Sequence, residues 1–219
     1  MPFSFSLCPG TLSATAWTNM EIDLPNLSPT ERYKFLTSVV VPRPIAWVTS
    51  LSEAGVVNAA PFSFFNVFGS KPPLVVLGIG NRPDTGEPKD TVLNIKTSGQ
   101  FVIHTVSEAQ AQKMVKTSTS LPHEESEIAA FGLSTVPSVK VSPPRIAGAA
   151  VALECELHSI QEIGQNRLII AKVVQAAIED RFYDPKTGYT DTNAMQLVGR
   201  MHGPNGYCRT DAFFEIERP

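Results

Sequence analysis

Two long segments in the second half of the chain most constrain its fold. Residues 148–163 and 167–178 both carry strand patterns, and Gly164-Gln165-Asn166 joins them. Parallel strands need a crossover of a dozen residues or more. A connection of three residues therefore indicates an antiparallel hairpin. This half of the chain also lacks the regular strand–helix alternation of a doubly wound parallel fold. The sequence therefore predicts a mainly β protein, an antiparallel sheet closed or nearly closed as a barrel, with flanking helices.

The other strands and helices are short. Further strands are predicted at residues 45–51, 56–65, 74–79, 100–106 and 213–217. Glu53-Ala54-Gly55 turns the chain between the first two, and Pro61 requires the second to lie at an edge or to contain a bulge. Helices are predicted at 29–38 after a capping box opened by Ser28, at 90–96 between an Asp90 cap and a Gly99 stop, at 108–116 and at 128–131.

Charge and cysteine content argue against several classes of function. The 219 residues carry a net charge of −3 without a basic run, so nothing favours nucleic acid or an anionic membrane as a partner. No apolar stretch approaches the ~20 residues that span a bilayer. The three cysteines are far apart and odd in number, which favours a reducing compartment such as the cytoplasm. No histidine or cysteine spacing is typical of a metal site.

Residues 1–25 are interpreted as an N-terminal tail or extension before one domain at 26–219, with Met20 as a candidate start.

Small polar side chains occur among the apolar residues of the strands predicted between residues 42 and 66. Thr49 and Ser50 close one strand, and Ser63 and Asn66 close the next. Apolar walls with a few hydrogen-bond groups, including backbone N–H groups near Ala60, are how a planar and partly polar ligand is lined. The alternative is that Thr49 and Ser50 are turn residues and that Asn66 caps a helix.

A second polar segment, Lys89-Asp90-Thr91, stands where a loop enters a helix. The first N–H groups of a helix are unpaired and its dipole favours an anion, to which Lys89 adds a positive charge. Asp90 fits a helix cap better than a phosphate contact because like charges repel. The alternative is an ordinary capped surface helix. The two segments together indicate a phosphorylated aromatic cofactor.

Several motifs in order resemble the flavin reductase-like, FMN-binding split-barrel family, in its flavoredoxin-type branch. The similar segments are PRPIAWVTS at 42–50, NAAPFSFFN at 58–66, KPP at 71–73, KDTVLNI at 89–95, FVIH at 101–104, and VGRMHG at 198–203 with Tyr207. His104 departs from the family, where Asn is the more familiar residue. The resemblance covers residues 27–219.

The resemblance implies a six-stranded antiparallel split barrel that dimerises, with FMN in a groove at the dimer interface. Carried over by position, Thr49 and Ser50 would face the isoalloxazine ring. Ala60, Ser63 and Asn66 would line the ring or the ribityl chain. The phosphate end would be formed by Lys89, Asp90 and Thr91, and Arg43 would be a further anion contact. The replacement at His104 affects the expected shape of the nearby pocket.

The resemblance also implies the chemistry. An NAD(P)H:flavin oxidoreductase moves hydride from nicotinamide to FMN, needs no catalytic side chain, and can supply reduced flavin to a partner oxygenase. Arg200 and His202 would help to bind NAD(P)H, although His202 also fits a surface residue before a glycine turn. Two alternatives stay open: a flavoredoxin-type electron carrier that holds FMN without efficient NAD(P)H turnover, and a flavin-free binding module. The sequence does not separate NADH from NADPH.

Overall fold

The computed structural model describes residues 19–217. Most of the predicted N-terminal tail, and Cys8 with it, lies outside them, and a 3₁₀ turn at Leu24–Asn26 spans the predicted domain boundary. The strands are β1 Ala46–Leu51, β2 Val57–Phe62, β3 Phe65–Ser70, β4 Pro73–Gly80, β5 Gln100–His104, β6 Thr135–Val136, β7 Arg145–Ile146, β8 Val151–Ile163, β9 Asn166–Ile178, β10 Val198–Arg200 and β11 Tyr207–Arg209. The helices are α1 Pro29–Val39, α2 Asp90–Ser98, α3 Glu108–Lys116, α4 Glu127–Ala130 and α5 Thr192–Met195.

Seven strands form one antiparallel sheet in the order β2-β1-β5-β8-β9-β4-β3. Its two edge strands, β2 and β3, follow each other in the chain with only Ser63 and Phe64 between them. Three Cα steps keep Phe62 and Phe65 within about 11 Å of each other, so the sheet must curl until its edges nearly meet. The predicted antiparallel barrel is therefore confirmed.

The long hairpin that constrained the fold is present as β8 and β9. Ile163 pairs with Asn166 across the turn, and the register shifts between Glu154 and Cys155 and again beyond Leu157. Such bulges bend and twist a strand, which helps a sheet to close. The first strand begins at Val151 rather than at residue 148, since Gly148 has a φ of +74° and cannot continue an extended strand.

Alternate residues of β1 face two different cores. Ala46 and Val48 point into the barrel, where they join a buried cluster from most of the strands. Ile45 and Trp47 point outward and pack with Met114 of α3 in a second cluster. The Trp47 indole N–H donates to Thr117 Oγ1 at 3.0 Å. Trp47 is thus a core residue that fixes α3 against the barrel.

Three predicted elements differ from the structure. Residues 56–65 are not one strand: the chain breaks at Ser63 and Phe64, which accounts for the seventh strand, while Pro61 does lie on an edge strand. Asp90 is the first residue of α2 and not its cap; Lys89 occupies the cap position. No strand forms within residues 211–217, because that alternating sequence finds no neighbouring strand in the described chain.

The other helices follow their signals. The Ser28 hydroxyl accepts from the backbone N–H of Glu31, and the Glu31 carboxylate accepts from the backbone N–H of Ser28, which is the predicted capping box. Gly99 ends α2 with a φ of +68°. Among residues 19–217, no helix is both long enough and apolar enough to cross a membrane.

Candidate functional site

A continuous groove runs along β2 between α2 and the β10–β11 hairpin. It consists of two cavities that share Pro61 and Ser118. The polar cavity, of about 150 Å³, is lined by Asn58, Ala60, Pro61, Arg82, Pro83, Lys89, Asp90, Thr91, residues 117–121 and Glu127. The second cavity, of about 230 Å³, is called the apolar cavity because most of its lining residues are apolar or aromatic; they are Ile45, Pro61, Phe62, Ser63, Met114, Val115, Ser118, Arg200, Pro204 and Tyr207.

The polar cavity has the features of an anion site. Lys89 caps α2 without a side-chain cap bond. The backbone N–H of Val92 donates to the Lys89 carbonyl at 2.9 Å, whereas those of Asp90 and Thr91 have no acceptor among the described residues. The Lys89 ammonium lies 5.6 Å from the centre of the Phe62 ring. Burial lowers the pKa of Lys89, and the positive charge of Arg82 lowers it further. A bound anion would offset both effects.

Asp90 is already paired within this cavity. Its carboxylate forms an ion pair with Arg82 and accepts a hydrogen bond from His123 Nδ1 at 2.8 Å. Its negative charge is therefore balanced by neighbouring side chains. Arg82, which the sequence analysis did not select, lines the cavity beside Lys89.

A buried hydrogen-bond network forms one wall of the polar cavity. The Asn58 amide group donates to both carboxylate oxygens of Glu127, at 3.2 and 3.1 Å, and the backbone N–H of Ala59 donates to Glu127 Oε2 at 2.9 Å. Asn58 Oδ1 in turn accepts from the Thr91 hydroxyl at 2.8 Å. Asn94 extends the network by donating to Ser50 Oγ at 3.1 Å. The network joins β2, α2 and α4.

The apolar cavity has an aromatic wall on the hairpin side. The Arg200 guanidinium lies 4.8 Å from the centre of the Tyr207 ring and donates to the carbonyls of Gly203, Pro204 and Gly206 at 2.9, 2.8 and 2.6 Å. Arg200 therefore holds the loop between β10 and β11 in shape. Flat apolar surfaces around few polar groups are suited to a planar ring.

Five of the predicted cofactor-binding residues line one of the two cavities. Ala60, Lys89, Asp90 and Thr91 lie in the polar cavity, and Ser63 lies in the apolar one. The predicted substrate residue Arg200 also lines the apolar cavity, whereas His202 is exposed and lines neither. The structure thus brings the predicted phosphate end and part of the predicted ring end into one groove.

Thr49 and Ser50 point to opposite faces of the sheet. Both are fully buried, but the Thr49 hydroxyl donates to the Pro144 carbonyl at 2.6 Å, outside the barrel, whereas Ser50 joins the Asn94 network. Neither side chain lines a cavity of the groove. Asn66 is exposed on the edge strand β3, where it accepts from the backbone N–H of Val67. The roles expected for these three residues stay predictions.

Arg43 is buried, and its donors are occupied by the protein. Nη1 donates to the carbonyls of Thr37 and Val40 at 2.7 and 3.0 Å, and Nη2 donates to that of Met201 at 3.2 Å. Nε reaches the Ser63 hydroxyl at 3.3 Å. This geometry gives Arg43 a structural role that joins the end of α1 to the groove. The anion contact expected from the resemblance stays a prediction.

His104 is fully buried and lines neither cavity. Nδ1 lies 2.8 Å from the Trp47 carbonyl, and Nε2 accepts from the backbone N–H of Ile146 at 2.9 Å. These partners require a neutral ring with its hydrogen on Nδ1. Burial lowers the pKa of His104 to about 4.

Three contributors to the site were missed from the sequence: Asn58, Arg82 and Glu127. Asn58 is a polar residue within a strand, which is a weak signal of a buried contact. Glu127 lies 69 positions further along the chain. Nothing in its local sequence distinguishes it from the exposed Glu124 and Glu125 that precede it.

The chain matches a known protein family and is similar to several known proteins and solved structures. The flavin reductase like domain matches residues 38–197. An uncharacterized protein of Halalkalibacterium halodurans is 40% identical over 206 residues, which cover 91% of this chain and 97% of that protein. The structure of nitrilotriacetate monooxygenase component B from Bacillus cereus has a TM-score of 0.85 at 29% identity, covering 92% of this chain and 100% of that one. Pseudomonas fluorescens 2-nitrobenzoate 2-nitroreductase has a TM-score of 0.83 at 34% identity, covering 91% and 96%.

Two more distant structures share the fold alone. A Shewanella frigidimarina protein described as having a split barrel domain has a TM-score of 0.78 at 20% identity, covering 92% of this chain and 100% of that one. Flavoredoxin of Desulfovibrio vulgaris has a TM-score of 0.68 at 20% identity, covering 81% and 91%. The expected split barrel is thereby confirmed, and the chain belongs to the flavin reductase like family.

Proposed function

We propose that the chain is an FMN-binding oxidoreductase that takes hydride from NADH or NADPH. The observation that carries the proposal is the continuity of the groove. Its polar cavity gathers Lys89, Arg82 and the start of α2, and its apolar cavity is walled by Pro61 and Tyr207. A single helix start with two cationic side chains suits one phosphate, and this favours FMN over a dinucleotide flavin.

The residues present fit FMN end to end. Lys89 and the first N–H groups of α2 would hold the phosphate, the Ala60 backbone would border the ribityl chain, and Ser63 would stand beside the ring. When bound, FMN would supply the ring that accepts hydride. The protein would position the two rings and exclude water, which requires no acid or base in the apolar cavity. Arg200 and Tyr207 would form the wall against which nicotinamide lies, and His202 would stand outside it.

A homodimer is part of the proposal. The edge strand β3 presents Val67 and Phe68, each 67% exposed, with Phe64 beside them. An apolar patch of this kind is covered in most stable proteins, and a second copy of the chain would cover it here. Cys155 and Cys208 are free thiols, which is consistent with a reducing compartment such as the cytoplasm.

Three routes for the electrons of the reduced flavin are proposed. The similarity to a monooxygenase component B supports transfer of reduced flavin to a partner oxygenase. The 34% identity to a 2-nitrobenzoate 2-nitroreductase favours a second function, in which bound reduced flavin reduces a nitroaromatic compound directly. The flavoredoxin fold supports the third, an electron carrier with little NAD(P)H turnover.

An absorbance spectrum of the purified, FMN-incubated protein, followed by anaerobic titration with NADH and NADPH, tests the proposal. We expect a yellow protein that one or both nicotinamides bleach. A yellow protein that neither nicotinamide bleaches would instead support the electron carrier. A colourless protein whose melting temperature ignores FMN would support a flavin-free module, since a ligand of the native state raises its stability. Reoxidation by 2-nitrobenzoate, compared with reoxidation by oxygen, then separates the acceptors.

A further inference from the structure

Glu127 is a buried carboxylate in the wall of an anion site. Its side chain is 4% exposed, and it lines the same cavity as Lys89 and Thr91. Among residues 19–217, no cation pairs with it directly: its hydrogen-bond partners are the neutral amide of Asn58 and the backbone N–H of Ala59. A carboxylate is an unexpected group beside a phosphate site, because two negative charges within one small cavity repel each other.

We propose that Glu127 makes flavin binding proton-linked, taking up a proton from solvent when the phosphate of FMN enters the polar cavity, so that affinity for FMN falls as the pH rises. The proposal rests on the proposed function. It assigns a positioning residue of the phosphate end, one that does not touch the reacting ring.

The surroundings of Glu127 already disfavour its charged form. Burial raises the pKa of Glu127 above its ordinary value, and the charge of Asp90 raises it further, against the hydrogen bonds from Ala59 and Asn58 that lower it. A phosphate in the same cavity would act in the same direction as Asp90. The carboxylate should therefore take up a proton more readily on phosphate binding than a less buried carboxylate would.

The other charged groups around Glu127 define what else can titrate. The groups that face it or its neighbours are Asp90 and Lys89 of α2, Arg82 of the preceding loop, His123 on Asp90, and the exposed Glu124 and Glu125 of its own segment. Asp90 is paired with Arg82 and His123. Lys89 is the competing source of proton uptake, because an anion would also raise its lowered pKa. A variant at position 127 separates the two.

Glu127→Gln keeps the shape of the side chain and mimics its protonated form. The ratio of the FMN dissociation constants of the native protein and the variant is the quantity to measure between pH 5 and pH 8.5. Titration of the phosphate of FMN itself affects both proteins and cancels in the ratio. We expect a ratio near one at pH 5 that rises to on the order of tenfold at high pH, when the native carboxylate is charged.

Two controls locate the effect. Riboflavin lacks the phosphate, so its ratio should stay near one at every pH. Glu125→Gln removes the same charge from the exposed surface of the same segment and should leave FMN binding unchanged. A pH-independent FMN ratio, or an equal effect on riboflavin, would overturn the proposal and leave the proposed function standing. Absence of FMN binding by both proteins at every pH would overturn the proposed function, and this proposal with it.

Calorimetry of the native protein gives a second measurement if the variant does not fold. Titration of FMN at pH 7.5 in two buffers of different ionisation enthalpy reports the protons taken up on binding. At this pH the FMN phosphate is almost wholly dianionic, because the second pKa of a phosphate monoester is about 6. We expect net proton uptake with FMN that persists in Lys89→Met and is absent with riboflavin. No uptake in Lys89→Met would assign the proton to Lys89 and overturn the proposal.

Discussion

The hydroxyl of Thr91 donates to Oδ1 of Asn58 across 2.8 Å, and this bond ties the first turn of α2 to the edge strand β2. The amide group of the same Asn58 is directed at Glu127. Because the Thr91 hydrogen is committed to Asn58, the Thr91 hydroxyl has no hydrogen left for a phosphate. The donors that remain at the α2 side of the polar cavity are then Lys89, Arg82 and the backbone N–H groups at the start of the helix.

Replacing Asn58 by Ala should therefore damage the fold around the groove. The variant leaves the Glu127 carboxylate with the Ala59 N–H as its remaining donor and leaves Thr91 without its acceptor. Unpaired buried polar groups cost about 1–3 kcal/mol each, so we expect a loss of about 3 kcal/mol in the free energy of unfolding. Denaturant unfolding measures it. Asn193→Ala, at an exposed position, should change the same quantity little; equal losses in both variants would show that the Asn58 network does not stabilise the protein.

Lys89→Met should weaken FMN binding selectively. The change removes the ammonium that lies over the Phe62 ring and keeps an apolar side chain of similar length. A charge-assisted contact contributes about 1.5–3 kcal/mol, so we expect the dissociation constant to rise by about tenfold or more, measured by quenching of flavin fluorescence. Riboflavin binding should not change. Lys96→Met, in the last turn of the same helix, is the matched control, and an equal effect from that variant would contradict the assignment of the phosphate to the start of α2.

Local signals predicted the parts of the fold that depend on neighbours in sequence. The capping box at Ser28, the hairpin turn at Gly164 and the stop at Gly99 each involve residues within four positions of one another. The missing strand at 213–217 shows the limit of such signals. A strand needs a partner as well as an alternating sequence, and local sequence does not state which strand is adjacent.

The sequence predicted those parts of the site that depend on the alternation of strand residues and on the position of a helix start. The start of α2 identified Lys89, whereas the contacts of Glu127 with Asn58 span 69 positions and leave no local trace. For Thr49 and Ser50, by contrast, a local pattern held information that the sequence-based prediction did not use. Successive strand residues face opposite sides, so the two side chains lie on different faces of β1, and this alternation was available from the sequence.

The stability of the protein should depend on His104 between pH 4 and pH 6.5. Its folded pKa is lowered to about 4 from an ordinary value of 6.5, so within this window the unfolded chain binds more protons than the folded one. The free energy of unfolding should then fall as the pH falls through this window, by about 3 kcal/mol in total from this group.

Urea unfolding at a series of pH values measures that slope. His104→Asn should flatten it, because an amide does not titrate in this range. The side-chain N–H can replace the ring Nδ1 as donor to the Trp47 carbonyl, and the loss of the acceptor for the Ile146 N–H lowers stability equally at every pH. His158→Asn, at an exposed position of β8, should keep the native slope. A variant at position 104 with the full native slope would assign the acid sensitivity to other groups.

Arg43→Lys should lower stability without a specific effect on the phosphate. A lysine cannot reproduce the fork that reaches the carbonyls of Thr37, Val40 and Met201 together, and buried carbonyls are left without donors. We expect a loss of about 2–4 kcal/mol in the free energy of unfolding, with Arg181→Lys, at an exposed position, as a near-neutral control. The affinities for FMN and riboflavin, measured below the unfolding transition, should change by the same factor. A loss confined to FMN would instead restore the anion contact that the resemblance implied, and it would require the guanidinium to leave its carbonyl partners when the phosphate binds.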